Sequence, residues 1–362
     1  MLSKLAEVVT DYSVEIEEGD LVVIQSSYLA EPLLEKVVEN VVKKGANFEY
    51  KVQLANMDEI LFTHAKKEQL EYVSPITKTT VEEADVMISL WADINPKRLN
   101  SIESQKLSTR AAARAEITKI FMEREAKGEL QWTLAPYPTQ AMAQEAGISF
   151  LEYRNFVYGA CLLDKENPIE EWRKVSKKQE KIVDHLNGKE EIRYVGEDTD
   201  LTLSAKGREW INCDGEKNMP DGEVFTGPVE DSANGTIRFT YPGIYMGKEI
   251  KDIRLRFEDG KVVNAEAAKG QELLEKLLEI DGVERIGEIA IGTNYGIQRF
   301  TKNMLFDEKM GGTMHLALGR SIPESGGKNQ SSIHWDLLKD MKKGGKIYAD
   351  GELFYENGKF LI

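Results

Sequence analysis

The sequence predicts an α/β protein in two parts: an N-terminal α/β domain with a mostly parallel sheet, then a C-terminal mixed α+β domain. Three observations carry this. Through residues 1–150, short apolar runs alternate with helical periods, the pattern of strands covered by helices on both faces. After Asn187-Gly188-Lys189 the pattern changes to short strands and turns. A chain of 362 residues exceeds one ordinary core, and the change of pattern divides it into 1–188 and 189–362.

Leu2, Leu5, Val8 and Val9 share one helical face, and the run LVVIQ at 21–25 reads as a buried strand after the Glu18-Gly19-Asp20 turn. A second helix is expected over 31–44, with Pro32 in its first turn and Gly45 where a C-terminal cap belongs. Residues 48–52, 86–91 (VMISLW) and 132–135 read as further strands, and 106–127 has a helical period. No GxGxxG or GxxxxGK[ST] follows any of these strands, so nucleotide binding does not follow from the layout. Residues 150–186 read as helical, with Pro168 opening a new segment and His185 at its polar end. Beyond the boundary, 192–195, 201–204, 236–240, 253–257 and 262–266 are strand candidates, and 271–280 is one amphipathic helix. Glu258-Asp259-Gly260-Lys261 reads as a hairpin turn, because Gly supplies the positive φ such loops need.

With 41% hydrophobic and 30% charged residues the chain is a folded protein. Asp and Glu number 62 against 47 Lys and Arg, a net charge of −15 that disfavours nucleic-acid partners, whose phosphates need a basic face. No window approaches a membrane span, and the acidic, amphipathic N-terminal stretch lacks the pattern of a signal peptide. Cys161 and Cys213 fall in different predicted domains and form no CxxC pair, so a reduced, cytoplasmic protein is expected.

Half of the four histidines lie between Gly287 and Asp336, together with several carboxylates in a glycine-rich, apolar setting. Glu288 stands inside the strand-like run IGEIAIG, where a charge is expensive unless paired or metal-bound. Glu308 and His315 come from LFDEKMGGTMHLALG. His334 and Asp336 form an HxD whose members project to one side if the segment is a strand. Outside the segment, the turn at 219–222 delivers Glu223 to the edge of an apolar run. Carboxylates and neutral imidazoles are ligands for zinc, cobalt or manganese. Four carboxylates and two imidazoles exceed the set one zinc uses, and suit two ions about 3.5–4 Å apart, as in hydrolytic di-metal enzymes. Taken singly, Glu223 and Glu308 read as solvated surface acids, His315 as a hydrogen-bonded core histidine, and Asp336 as the cap of a helix starting at Leu337; the conjunction reverses those readings.

The motifs DGEVFTGP (221–228), FEDGKVVNAEAAKG (257–270), IGEIAIG (286–292), NMLFDEKMGGTMHLALGRSIPESGG (303–327) and SIHWD (332–336) together resemble the M29 family of metallo-aminopeptidases, the aminopeptidase T and S type. The resemblance implies a two-domain subunit, a homodimer, and a C-terminal site that releases N-terminal residues from peptides. It also implies two divalent ions, drawn from zinc, cobalt, manganese and magnesium. Carried onto this sequence, the metal ligands fall on Glu223, Glu288, His315, His334 and Asp336, with Glu308 a further ligating acid. Glu288 and Glu308 are the expected catalytic acids. One departure is that Ile322 stands where the family places a tyrosine, and Tyr295 is a candidate substitute for that phenol. Two competing readings use the same ligands: a metal-binding chain with little or no peptidase turnover because of Ile322, and a di-metal phosphoesterase, which conflicts with the motif set.

Overall fold

The computed structural model describes residues 1–362, and the chain packs as two compact units. The first comprises Met1–Glu170 and Gly215–Pro220; the second comprises Glu171–Asp214 and Asp221–Ile362.

In the first unit four strands form one parallel sheet in the order Asn47–Gln53, Leu21–Ser27, Val86–Trp91, Gln131–Pro136. The central strands place Val22, Ile24, Val86 and Ile88 in full burial, as their continuous apolar runs require. Helix Glu31–Lys43 buries Leu33, Val37 and Val41, the i, i+4, i+8 stripe of an amphipathic helix. The expected helix over 106–127 is two, Ser104–Ala113 and Ala115–Ala126. A cavity of 570 Å³ lies at the carboxyl ends of the strands, lined by Ser27, Gln53, Trp91, Asp93 and Arg98 among others.

In the second unit two antiparallel sheets share one core. An eight-stranded sheet runs Lys261–Glu266, Arg254–Glu258, Asn234–Arg238, Thr199–Ser204, Glu191–Gly196, Lys346–Ala349, Glu352–Glu356, Lys359–Phe360. A five-stranded sheet runs His334–Asp340, Thr313–Gly319, Ile286–Gly292, Glu223–Thr226, Ile211–Cys213. The predicted hairpin forms, with Glu258 paired to Lys261 and positive φ at both Asp259 and Gly260. Helix Gln271–Leu278 contributes Leu274 and Leu277 to the core, and helix Pro168–Leu186 contributes Ile182, Val183 and Leu186. His185, in the last turn of that helix, packs its ring on Phe354. Cys161 and Cys213 are free thiols, and no helix is long and apolar enough to cross a membrane.

Candidate metal centre

The five-stranded sheet divides its residues by parity. On one face Val224, Ile289, Ile291, Met314, Leu316, Leu318, Trp335 and Leu337 enter the core. The opposite face carries Glu223, Glu288, His315, His334 and Asp336, because side chains alternate along a strand. The register sets them side by side: Glu223 pairs with Gly292, Ala290 with His315, Glu288 with Ala317, Ala317 with Asp336, and Gly319 with His334. Small residues separate the ligand-type ones, which leaves room above the sheet. Gly292 is required there, since a Cβ would meet the Met310 carbonyl oxygen at 2.2 Å. Asp336 lies in a strand and caps no helix; residues 334–340 pair with the His315 strand throughout.

Each imidazole is oriented by a backbone carbonyl. His315 Nδ1 donates to the Glu308 carbonyl at 3.1 Å, and His334 Nδ1 donates to the Arg320 carbonyl at 2.7 Å. Both Nε2 atoms therefore face carboxylates, the orientation that metal-ligating histidines take. His315 Nε2 lies 3.2 Å from Glu288 Oε1 and 3.5 Å from Glu223 Oε2. His334 Nε2 lies 3.3 Å from Glu288 Oε2 and 3.2 Å from Asp336 Oδ1. Glu288 thus spans the two rings, one oxygen to each. It joins two sets of donor atoms lying within 4.8 Å of one another: Glu223, Glu288 and His315, and Glu288, His334 and Asp336.

Glu308 follows the short helix Met304–Asp307, capped by the Asn303 side chain on the Leu305 N–H and tied back by Asp307 Oδ1, which accepts from the Thr301 N–H and hydroxyl. Its carboxylate, one-fifth exposed, pairs with Lys309. Glu223 is buried, so the surface-acid reading of that residue fails.

Three residues without a predicted role complete the surroundings. Lys309, 1% exposed, lies 3.6 Å from Glu223 Oε1 and 3.9 Å from Asp221 Oδ1 in addition to its contact with Glu308. Asp221 precedes Gly222, whose φ of +125° and close approach to Asn294 only glycine accommodates. Gln179, from helix Pro168–Leu186, donates to the carbonyls of Cys213 and Glu223 and accepts from the Thr293 hydroxyl, fixing the backbone beneath Glu223. The signal for Lys309 was present in FDEKMGG, a lysine entering an apolar, glycine-rich stretch, and its burial alone would have required a counter-charge.

Charge decides what the centre can hold. Burial pushes Glu223 up to about 8 and Asp221 up to about 7 despite the opposing charge of Lys309. Burial also raises Glu308. For Glu288, burial acts upward but the hydrogen bonds from His315 and His334 prevail and hold it at about 2. Burial lowers both imidazoles, yet Glu288 with Glu223 takes His315 to about 9, and Asp336 with Glu288 takes His334 to about 12. Without further cations, protons neutralise this cluster. Glu223 Oε2 and Glu288 Oε2 are nevertheless buried with no well-aligned hydrogen bond, their imidazole neighbours lying at 3.5 and 3.3 Å, which leaves lone pairs for a cation to take. The donor set, carboxylate oxygens and imidazole nitrogens, fits a divalent ion of the zinc, cobalt or manganese kind.

The site segment following the His315 strand carries Ile322, two residues beyond the Arg320 carbonyl that orients His334. Tyr295 does not replace the missing phenol, since its hydroxyl donates to the Gly358 carbonyl at 2.9 Å.

A family model described as thermophilic metalloprotease (M29) matches residues 1–360. Aminopeptidase 2 of Geobacillus stearothermophilus is 28% identical over 93% of this chain and 91% of its own length. Aminopeptidase AmpS of Bacillus subtilis strain 168 is 26% identical, covering 99% of this chain and 98% of its own. The structure of wild-type AmpT from Thermus thermophilus has the same fold, with a TM-score of 0.86 over 100% of this chain and 99% of that one at 23% identity. These near-full-length matches do not support the reading in which Ile322 leaves a metal-binding chain without turnover.

Proposed function

Because this chain belongs to the M29 family of metalloproteases, we propose that it is a metal-dependent aminopeptidase, cleaving the N-terminal peptide bond of peptides in a catalytic domain at 189–362. The observation that carries the reading is Glu288, whose two oxygens reach separate imidazoles, each anchored through Nδ1. Glu223, Glu288, Glu308, His315, His334 and Asp336 would hold the ions, with Glu288 placed to serve both imidazole sets. Charge supports that number. Asp221, Glu223, Glu288, Glu308 and Asp336 offer five negative charges and Lys309 one positive, leaving four for two divalent ions to match.

When bound, such ions polarise a carbonyl and lower the pKa of water. The chain's own groups do the rest. With ions in place His315 and His334 would give up their Nε2 protons while carbonyls hold Nδ1–H, so each Nε2 lone pair would point to the centre. Glu308, partly exposed, accepts a proton at its carboxylate from the attacking water and returns it to the nitrogen of the leaving amine, a role its burial-raised pKa suits. Acidic residues near the mouth of the site would favour the cationic amino terminus of the peptide. We assign the enzyme to the cytoplasm, as a homodimer.

Dialysis against chelator should abolish release from aminoacyl-anilides, and zinc, cobalt, manganese or magnesium should restore it with two ions bound per chain. Activity unchanged by chelation, or metal uptake without aminoacyl release, sinks the proposal. Sedimentation equilibrium checks the dimer.

A further inference from the structure

A third group of metal-type donors adjoins the centre. Cys213, Asp221 and Glu223 bring ligand atoms within 4.8 Å of one another. Cys213 has no part in the proposed chemistry and Asp221 enters it only through its charge, yet Asp221 and Glu223 are nine-tenths or more buried. Three convergent donors of this type, two of them carboxylates, form a set that a divalent cation accepts. A cation is already there, and it is covalently attached. The Lys309 ammonium lies 3.9 Å from Asp221 Oδ1 and 3.6 Å from Glu223 Oε1 and hydrogen-bonds Glu308.

The cage is built by the backbone. The Asn294 N–H donates to the Lys309 carbonyl at 3.0 Å, while the Asn294 side chain donates to the Asp221 carbonyl at 2.8 Å, so one residue clamps both the lysine and its counter-ion. Gly222 beside it is fixed by the same close approach of Asn294. Glu223 faces two ways, Oε1 toward Lys309 and Oε2 toward His315 Nε2 at 3.5 Å. Glu308 is likewise held by the ammonium through Oε1.

We propose that Lys309 is the resident cation of a latent third metal position formed by Cys213, Asp221 and Glu223, and that its ammonium confines the centre to two ions. The ammonium already faces Asp221 and Glu223, two of the three donors, and its charge repels a dication that would use the same two carboxylates. Lys309 is therefore a positioning residue: it fixes one oxygen of Glu223 and one of Glu308 and leaves the others to the centre. The inference rests on the di-metal reading of Glu223.

The test counts ions in the full chain loaded with cobalt or cadmium, together with the absorption band that a thiolate ligand gives either metal. Wild type should hold two ions and show no thiolate band. Lys309→Ala should hold three and show the band, which Cys213→Ser or Asp221→Asn in the same chain should remove. Lys309→Arg, which keeps the charge, should behave as wild type. A folded Lys309→Ala chain with two ions and no band overturns the proposal. If Lys309→Ala does not fold unaided, cadmium should rescue its refolding and should not rescue Lys309→Ala with Asp221→Asn; failure of cadmium to rescue the single variant overturns the proposal equally. A wild-type chain holding no ions would instead count against the di-metal reading, while a third-site band in Lys309→Ala would still stand for this one.

Discussion

Two lysines in the second unit are buried almost completely, Lys309 at 1% exposure and Lys339 at 2%, and their surroundings drive them in opposite directions. Burial lowers both. At Lys309 the carboxylates of Glu308, Glu223 and Asp221 overcome that and raise it well above its ordinary value. At Lys339 burial prevails, aided by the neighbouring Arg238 charge, and the ammonium falls to about 8 even though Glu197, Asp198 and Asp340 oppose the shift. Lys339 Nζ donates to the carbonyls of Glu197 and Arg238, both at 3.0 Å, and so acts as a strut between backbone segments. Burial of a charged group therefore does not identify a functional centre by itself; convergence of opposite formal charge does.

The comparison is broken most severely by removing the acid at its middle. Glu288→Gln should lose bound metal and reduce turnover by on the order of 10³, by analogy with the loss of one key electrostatic stabiliser. Metal analysis beside anilide kinetics checks both. Next come the lysines themselves. In the metal-free protein Lys309→Met leaves buried carboxylates unpaired and should cost about 3–5 kcal/mol, whereas Lys339→Met removes an unfavourably buried charge along with two hydrogen bonds and should stay within about 1 kcal/mol. Denaturant titration of the two variants measures the contrast.

The pH dependence sharpens it. Lys339 titrates near 8 in the folded chain against an ordinary 10.5, so the unfolded chain holds more protons between those values. Its contribution is unfavourable and constant below pH 8, and stability rises as pH increases through 8 toward 10.5. The stability of wild type relative to Lys339→Met should therefore climb between pH 7.5 and 10. A flat difference would show that Lys339 is unperturbed. The smallest effect is expected at Ile322: Ile322→Tyr should leave the metal count unchanged and alter kcat by less than about tenfold, because a donor added to an assembled site gains less than one lost from it.

Much of this was legible from periodicity. Continuous apolar runs at 21–25 and 86–91 give buried parallel strands, and IGEIAIG announces its own exception, since a lone Glu in such a run needs a partner. The HxD spacing places His334 and Asp336 on one face, as found. Less visible were strands of the eight-stranded sheet such as Lys346–Ala349 and Glu352–Glu356, too short to display a period. Asp336 also satisfies the residue preference of a helix cap, and only pairing with Ala317 decides for the strand. Gln179 was hidden for another reason. Its role depends on neighbours distant in sequence, Glu223 and Thr293. The cavity at the carboxyl ends of the parallel strands contains none of the ligand-type cluster, so a search for a cavity alone leads away from the second unit.

The alternation along the Ile286–Gly292 and Thr313–Gly319 strands has an evolutionary consequence. Successive steps answer by turns to packing and to chemistry, so selection meets two interleaved but separable sets of positions on the same ribbon. Ile289 or Leu316 can drift among aliphatic residues under pressure for stability alone, while Glu288 and His315 next door respond only to pressure for catalysis. A lineage can thus change its working temperature without renegotiating its reaction.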